Sequence, residues 1–238
     1  MNKMILGCVL TFLILSACAP QTPTEPPSSP MVEQLGGGTV PEDDGFTPIE
    51  SVVVNQLSEN LDLNIKDILV VKNEVIEFND GCLGVSMPEV MCAQVITPGR
   101  IIVLEADGVQ YEYHVSEDGA RIQPATLALT WSRDGGIAGF CDRLIVFLSG
   151  EIYGSQCKSG DGRMGVFSSL LSSEEREQFS AWISKNGTAT LDVSDPKGTA
   201  DGMSLVIEFY GMGKGKPGKP VQQEIFIWAQ ETFNKLYK

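Results

Sequence analysis

The sequence has little that is basic and almost no histidine. Seventeen lysines and arginines stand against 31 aspartates and glutamates, a formal net charge of −14, and His114 is the single histidine. Each shortage excludes a class of chemistry. One histidine cannot build a His-rich metal site, and neither H-E-x-x-H nor G-x-S-x-G occurs. No complete EF-hand loop is present, and "GMGKGKPGKP" lacks the G-x-x-x-x-G-K-[ST] of a phosphate loop. The acidic balance disfavours nucleic acid, whose binders release counterions with basic patches, and disfavours adsorption to anionic lipid. Glu174 and Glu175 adjoin without facing one another, so they suit a helix N-terminus better than an acid–base pair. The sequence therefore reads as a non-enzyme that needs no cofactor, with its excess acid serving solubility.

Long hydrophobic runs are also missing. The longest, Met4–Leu15, is about a dozen residues, short of the roughly 20 that cross a bilayer as a helix, and it follows the positive Lys3. Residues 1–17 read as a signal peptide. Leu15-Ser16-Ala17-Cys18 resembles the lipobox of bacterial lipoproteins. That resemblance implies that Cys18 is acylated and becomes the mature N-terminus. The protein would then be exported and lipid-anchored at a cell membrane or outer membrane, with the bilayer as its first partner. Residues 18–47, rich in Pro, Thr, Ser and Gly, read as a disordered tether after that cysteine.

Six cysteines are present; Cys8 leaves with the signal peptide and Cys18 takes lipid. Cys82, Cys92, Cys141 and Cys157 remain, and four cysteines allow three pairings. An oxidising compartment favours disulfides, and nearest-neighbour closure pairs Cys82 with Cys92 and Cys141 with Cys157. Neither pair has the C-x-x-C spacing of a zinc or thioredoxin-like site.

The fold class expected is α+β, in two small domains at 48–125 and 127–238. Each would pack an antiparallel sheet against one or two helices and carry one disulfide. In the first, Ile49, Val52, Val53, Leu57 and Leu61 recur at helical spacing. "ILVVKNEVIEF" reads as a strand, and "RIIVLEADGVQYEYHV" as a hairpin turned at Asp107-Gly108. The order Asp80-Gly81-Cys82-Leu83-Gly84, Cys92, Pro98-Gly99, Ile102, Leu104, Gly108, Tyr111, Tyr113, His114 resembles a domain that recurs in exported bacterial proteins and lipoproteins, one that implies no activity. His114 reads as a half-exposed packing residue on an edge strand.

In the second domain Ser172 with Glu175 fits a capping box before a helix buried through Phe179, Trp182 and Ile183. Ile225, Trp228, Ala229, Phe233 and Leu236 mark a final helix, and "GKGKPGKP" reads as a basic hairpin tip. The layout, with "SRDGGIAGF" (Ser132–Phe140) as its sharpest piece, resembles the emfourin family of inhibitors of thermolysin-like metalloproteases. The resemblance implies protein binding and an extracellular protease as partner. Arg133, Gly135, Gly136, Ile137 and Phe140 are the candidate partner-binding residues, the glycines for close backbone approach and Arg133 and Phe140 as anchors. A non-inhibitory cell-envelope interaction or structural module is the alternative. The lipid expectation is checked by metabolic labelling with a fatty-acid analogue. Wild type is labelled and Cys18→Ala is not; label on the variant refutes the anchor.

Overall fold

Thr47 and Glu50 open the first helix. The Thr47 hydroxyl accepts from the Glu50 amide while the Glu50 carboxylate accepts from the Thr47 amide, and Pro48 supplies a φ already suited to a helix start. The computed structural model describes residues 45–156 and 165–237. Residues 1–17, expected to be a signal peptide, Cys18, most of the expected tether and Cys157 lie outside them. The last residues of that expected 18–47 tether belong to the fold, because Phe46 packs on the first core and Thr47 caps the helix. Helix α1 (Pro48–Leu61) contains three successive valines, which are mediocre helix formers, so burial of Val53, Val54 and Leu57 offsets weak local propensity. Val52, expected in the buried stripe, is exposed and Val54 takes its place. Both flank the Val53–Leu57 row at acceptable angles, and only the seat on the sheet chooses between them.

That sheet is an antiparallel meander of β1 (Leu69–Phe78), β2 (Thr97–Ala106), β3 (Val109–Ser116) and β4 (Ile122–Pro124), in that order. Asp107 and Gly108, both left-handed, form the two-residue turn between β2 and β3, where Ala106 pairs with Val109. The core joins the α1 stripe to Ile102, Leu104, Tyr111, Tyr113 and Val115. His114 lies on β3, an interior strand rather than an edge, because the short β4 pairs beyond it.

The second sheet runs β8 (Gly165–Leu170), β7 (Glu151–Gln156), β6 (Phe140–Phe147), β5 (Leu127–Gly135), β10 (Met203–Met212), β9 (Gly187–Asp192), all antiparallel. Strand β8 has no counterpart in the sequence reading, for none of its residues is buried and no alternation marks it. Helix α2 (Ser173–Lys185) starts at the Ser172–Glu175 capping box and carries the chain from the β8 edge to the β9 edge. Helix α3 (Lys219–Lys235) follows β10. Phe179 of α2 stacks on Trp228 of α3 with centroids 4.8 Å apart and meets Phe209 of β10 edge-on at 6.5 Å, and Trp131 of β5 meets Phe233 of α3 at 4.9 Å, so aromatic rings join the helices to each other and to the sheet. Gly154 permits the close approach of the chain end, since a β-carbon there would lie 2.7 Å from Leu236. The basic segment after Met212 is not a hairpin tip. It joins a strand to a helix, Gly187 donates to the Gly215 carbonyl at 2.7 Å, and Pro217 is buried. Among the described residues no helix is long and apolar enough to cross a membrane.

The expected boundary falls between β4 and β5, and contacts cross it. Asp43–Lys238 forms one compact unit. Leu148 packs against both main cores, and Val85, Met87 and Phe147 make a third cluster between them. A polar joint lies beside this apolar one. Glu151, 7% exposed, accepts from Asn60 at 2.7 Å, from Gln56 at 3.0 Å and from the Ser149 hydroxyl. Burial raises its pKa above the usual 4.5, and bonds from Ser149, Gln56 and Asn60 offset this only in part. The Tyr113 hydroxyl, fully buried, makes no well-formed hydrogen bond among the described residues; burial first and Glu151 second push its pKa well up, and the Ser149 hydroxyl beside it offsets this only in part. A carboxyl with a raised native pKa binds more protons folded than unfolded. Its contribution is complete below the ordinary value and is lost as pH rises through the native one. Thermal unfolding from about pH 4 to about pH 8 should therefore show this loss with rising pH in wild type, and Glu151→Gln should lack that component of the slope. Parallel curves would refute the account.

Candidate functional site

Strands β5 and β6 form a hairpin whose tip is Gly136–Gly139. Gly135 has φ 87° and a β-carbon on it would fall 2.5 Å from the Gly202 carbonyl; Gly136, φ 69°, donates to that carbonyl at 3.1 Å. Both glycines are thus required by a left-handed backbone and a close approach. The two faces of the hairpin carry one Arg–Asp pair each. On the core face Arg133 Nε and Nη2 donate to one oxygen of Asp142 at 2.8 and 2.5 Å, with the Arg133 side chain 15% exposed. Its guanidinium lies over the Phe140 ring at 4.0 Å and near the Trp131 ring at 5.5 Å. On the outer face Arg143 pairs with Asp134 at 2.8 Å.

The structure thus separates the five candidate residues. Arg133 is not a free charge offered to a partner, because Asp142 is buried on the facing strand and takes it. Phe140 is half-buried beneath Arg133, and Gly135 and Gly136 turn the chain. Ile137 alone projects, with 92% of its surface open. Next along β6, Cys141 is disulfide-bonded, and its expected partner Cys157 lies outside the described residues.

The Cys82–Cys92 disulfide is present, with Cα atoms 5.4 Å apart. Asp80 accepts from the Cys82 and Gly84 amides, Arg121 donates to the Gly81 carbonyl at 2.5 Å, and His114 Nδ1 lies 2.6 Å from the Leu83 carbonyl. His114 Nε2 faces Glu112 at 3.0 Å and the ring stacks on Phe78 at 5.0 Å. His114 is therefore a clamp for the loop. Asp80, Cys82 and Cys92 cluster closely enough for a metal, but both sulfurs are used in the disulfide and the carboxylate caps two amides. Leu83, Val85 and Met87 point into the fold, while Val90, Met91, Val95 and Ile96 are exposed.

One site had no trace in the sequence reading. A cleft of about 410 Å³ opens between the end of α1, the β2–β3 turn and α2. Asp62, Asp107, Tyr111, Leu148, Arg176 and Phe179 line it with others. They come from separate elements, and no local motif unites them.

Residues 50–124, from within α1 to the end of β4, match a family model described as Domain of unknown function (DUF8738). No curated protein and no solved structure matches the chain.

The hairpin geometry makes two substitutions opposite in kind. Arg133→Glu leaves buried Asp142 unpaired and places a second carboxylate against it, so it should cost about 3 kcal/mol or more. Ile137→Asp changes an open tip and should stay within about 0.5 kcal/mol of wild type. Urea unfolding of the two variants checks both; an Arg133→Glu variant as stable as wild type would sink the structural role.

Proposed function

We propose that this protein is an exported, lipid-anchored binding protein that docks the β5–β6 tip onto a partner, and that the partner is a thermolysin-like metalloprotease, which it inhibits. The lipobox-like Leu15–Cys18 and the thin apolar run before it support the location. The emfourin resemblance around Ser132–Phe140 supports the partner class.

The observation that carries the reading is Ile137. A large apolar side chain lies 92% open on a turn whose backbone is closed by the Gly139 amide donating to the Gly136 carbonyl and tied to Gly202. Gly135 and Gly136 fit against Gly202, and Arg133, Asp142 and Phe140 brace the strands below. A backbone already fixed in the presenting conformation loses little freedom on binding, which is how preorganised loops gain affinity. An apolar anchor entering a pocket of the partner is the usual hot-spot arrangement.

Purified protein should block a thermolysin-like protease at near-stoichiometric ratio, and Ile137→Asp should weaken inhibition roughly 30-fold or more while folding normally. If wild type is merely cut as a slow substrate, the inhibitory reading is lost to that of a non-inhibitory envelope module. If Ile137→Asp inhibits like wild type, the tip is not the contact.

A further inference from the structure

The cleft between the lobes has a composition that the hairpin reading does not use. Its walls are apolar, with Leu63, Val109, Leu148, Leu171, Phe179 and Ile183 among them. Its rim carries three carboxylates, Asp62, Asp107 and Glu177, each exposed and each without an ion-pair partner among the described residues. Arg176, the cation in the lining, is held against the cleft wall, Nη1 donating to the Leu171 carbonyl at 3.2 Å and Nη2 to the Ser173 hydroxyl at 3.3 Å, so against the three carboxylates the lining stays negative.

A second observation lies deeper in the same cleft. Tyr111 is 9% exposed and lines the cavity, yet its hydroxyl makes no hydrogen bond among the described residues. The ring is buried while the hydroxyl opens on the cleft without a partner in the protein, so it has an acceptor and a donor to offer a group from outside. Burial first and the nearby Asp107 carboxylate second hold its proton on.

We propose that this cleft binds a segment of a partner protein in which an apolar side chain is followed by lysine or arginine. The apolar side chain fills the cavity. The ammonium or guanidinium lies among Asp62, Asp107 and Glu177 and donates to the Tyr111 oxygen. The volume suits one large side chain with its flanks, and the open mouth lets the peptide continue on both sides. A second copy of this chain is a poor occupant, since it brings a net charge of −14 to a rim that is already negative.

The test is an amide-resolved NMR titration of the full chain with acetyl-Phe-Lys amide, acetyl-Phe-Glu amide and acetyl-Gly-Lys amide. The Phe-Lys peptide should move the resonances of Tyr111, Leu148 and Ser180, and each of the others should bind about tenfold more weakly. Asp62 and Asp107 both hold left-handed backbones, φ 58° and 51°, which asparagine adopts equally well. The doubly substituted Asp62→Asn, Asp107→Asn protein should therefore keep its fold and weaken Phe-Lys binding about tenfold. Ser180→Trp, an exposed change in the cleft wall, should abolish it. Equal binding of the Glu peptide, shifts elsewhere on the protein, or no effect of the asparagines overturns the proposal. Phenethylamine binding where the peptide does not would assign the cleft to small amines instead and overturns it too, as do concentration-dependent shifts without any peptide, which mean self-association. Ile137→Asp should leave cleft binding unchanged, so failure here and failure at the hairpin tip are separate results.

Discussion

A carboxylate withdrawn from water at the joint between the two lobes constrains everything around it. Glu151 stands at the start of β7, and two of its three side-chain donors come from α1, nearly a hundred residues earlier in the chain. Desolvation makes the charge costly and only those donors make it tolerable, so α1 cannot slide on the second sheet without leaving a buried acid unpaired. Leu148 and the Val85–Met87–Phe147 cluster add non-directional burial at the same boundary. Apolar contact brings the lobes together; the polar joint fixes their register.

That register creates the cleft. Gly150, next to Glu151, faces both Leu61 of α1 and the Arg176 stem of α2, which a β-carbon placed on it would meet at 3.6 and 3.4 Å. Asp62 and Asp107, each forced into a left-handed turn at the end of an element, then arrive on the same rim. The hairpin tip is remote from this region along β10, with Met203 beside the tip and Met212 in the cleft wall. Ten residues of strand separate the two by about 30 Å. The proposed tip contact and the proposed cleft contact therefore draw on different surfaces and different chemistry, one a rigid apolar projection and the other an acid-rimmed hollow.

The hairpin also shows why a charged residue in a suggestive motif need not be a contact. Arg133 lies on the same face as Trp131, which is the core face, because strand side chains alternate. Across the ladder the alternation delivers Asp142 to the same face, and the pair forms where water is scarce. Parity along β5 shows Arg133 inward, but Asp142 as its partner follows only from the β5–β6 register. What remains for an outside molecule is the residue that no strand position governs, Ile137.

Much of the architecture is local enough to be read from the chain. The capping box at Ser172–Glu175, the Asp107-Gly108 turn, the period-2 strands and the α2 and α3 stripes depend on residues within a few positions of each other, so composition and spacing determine them. The Cys82–Cys92 closure is local in the same sense. Strand β8 escaped because a strand with no buried residue has no periodic signature, and Val52 was misplaced because a helix stripe is ambiguous by one position until something packs on it. The Glu151 joint, the inward use of Arg133, the clamp made by His114 and the cleft were decided only by tertiary structure. Each joins groups from distant segments, and neither a desolvated charge nor an unpaired phenol exists until folding removes the water around it.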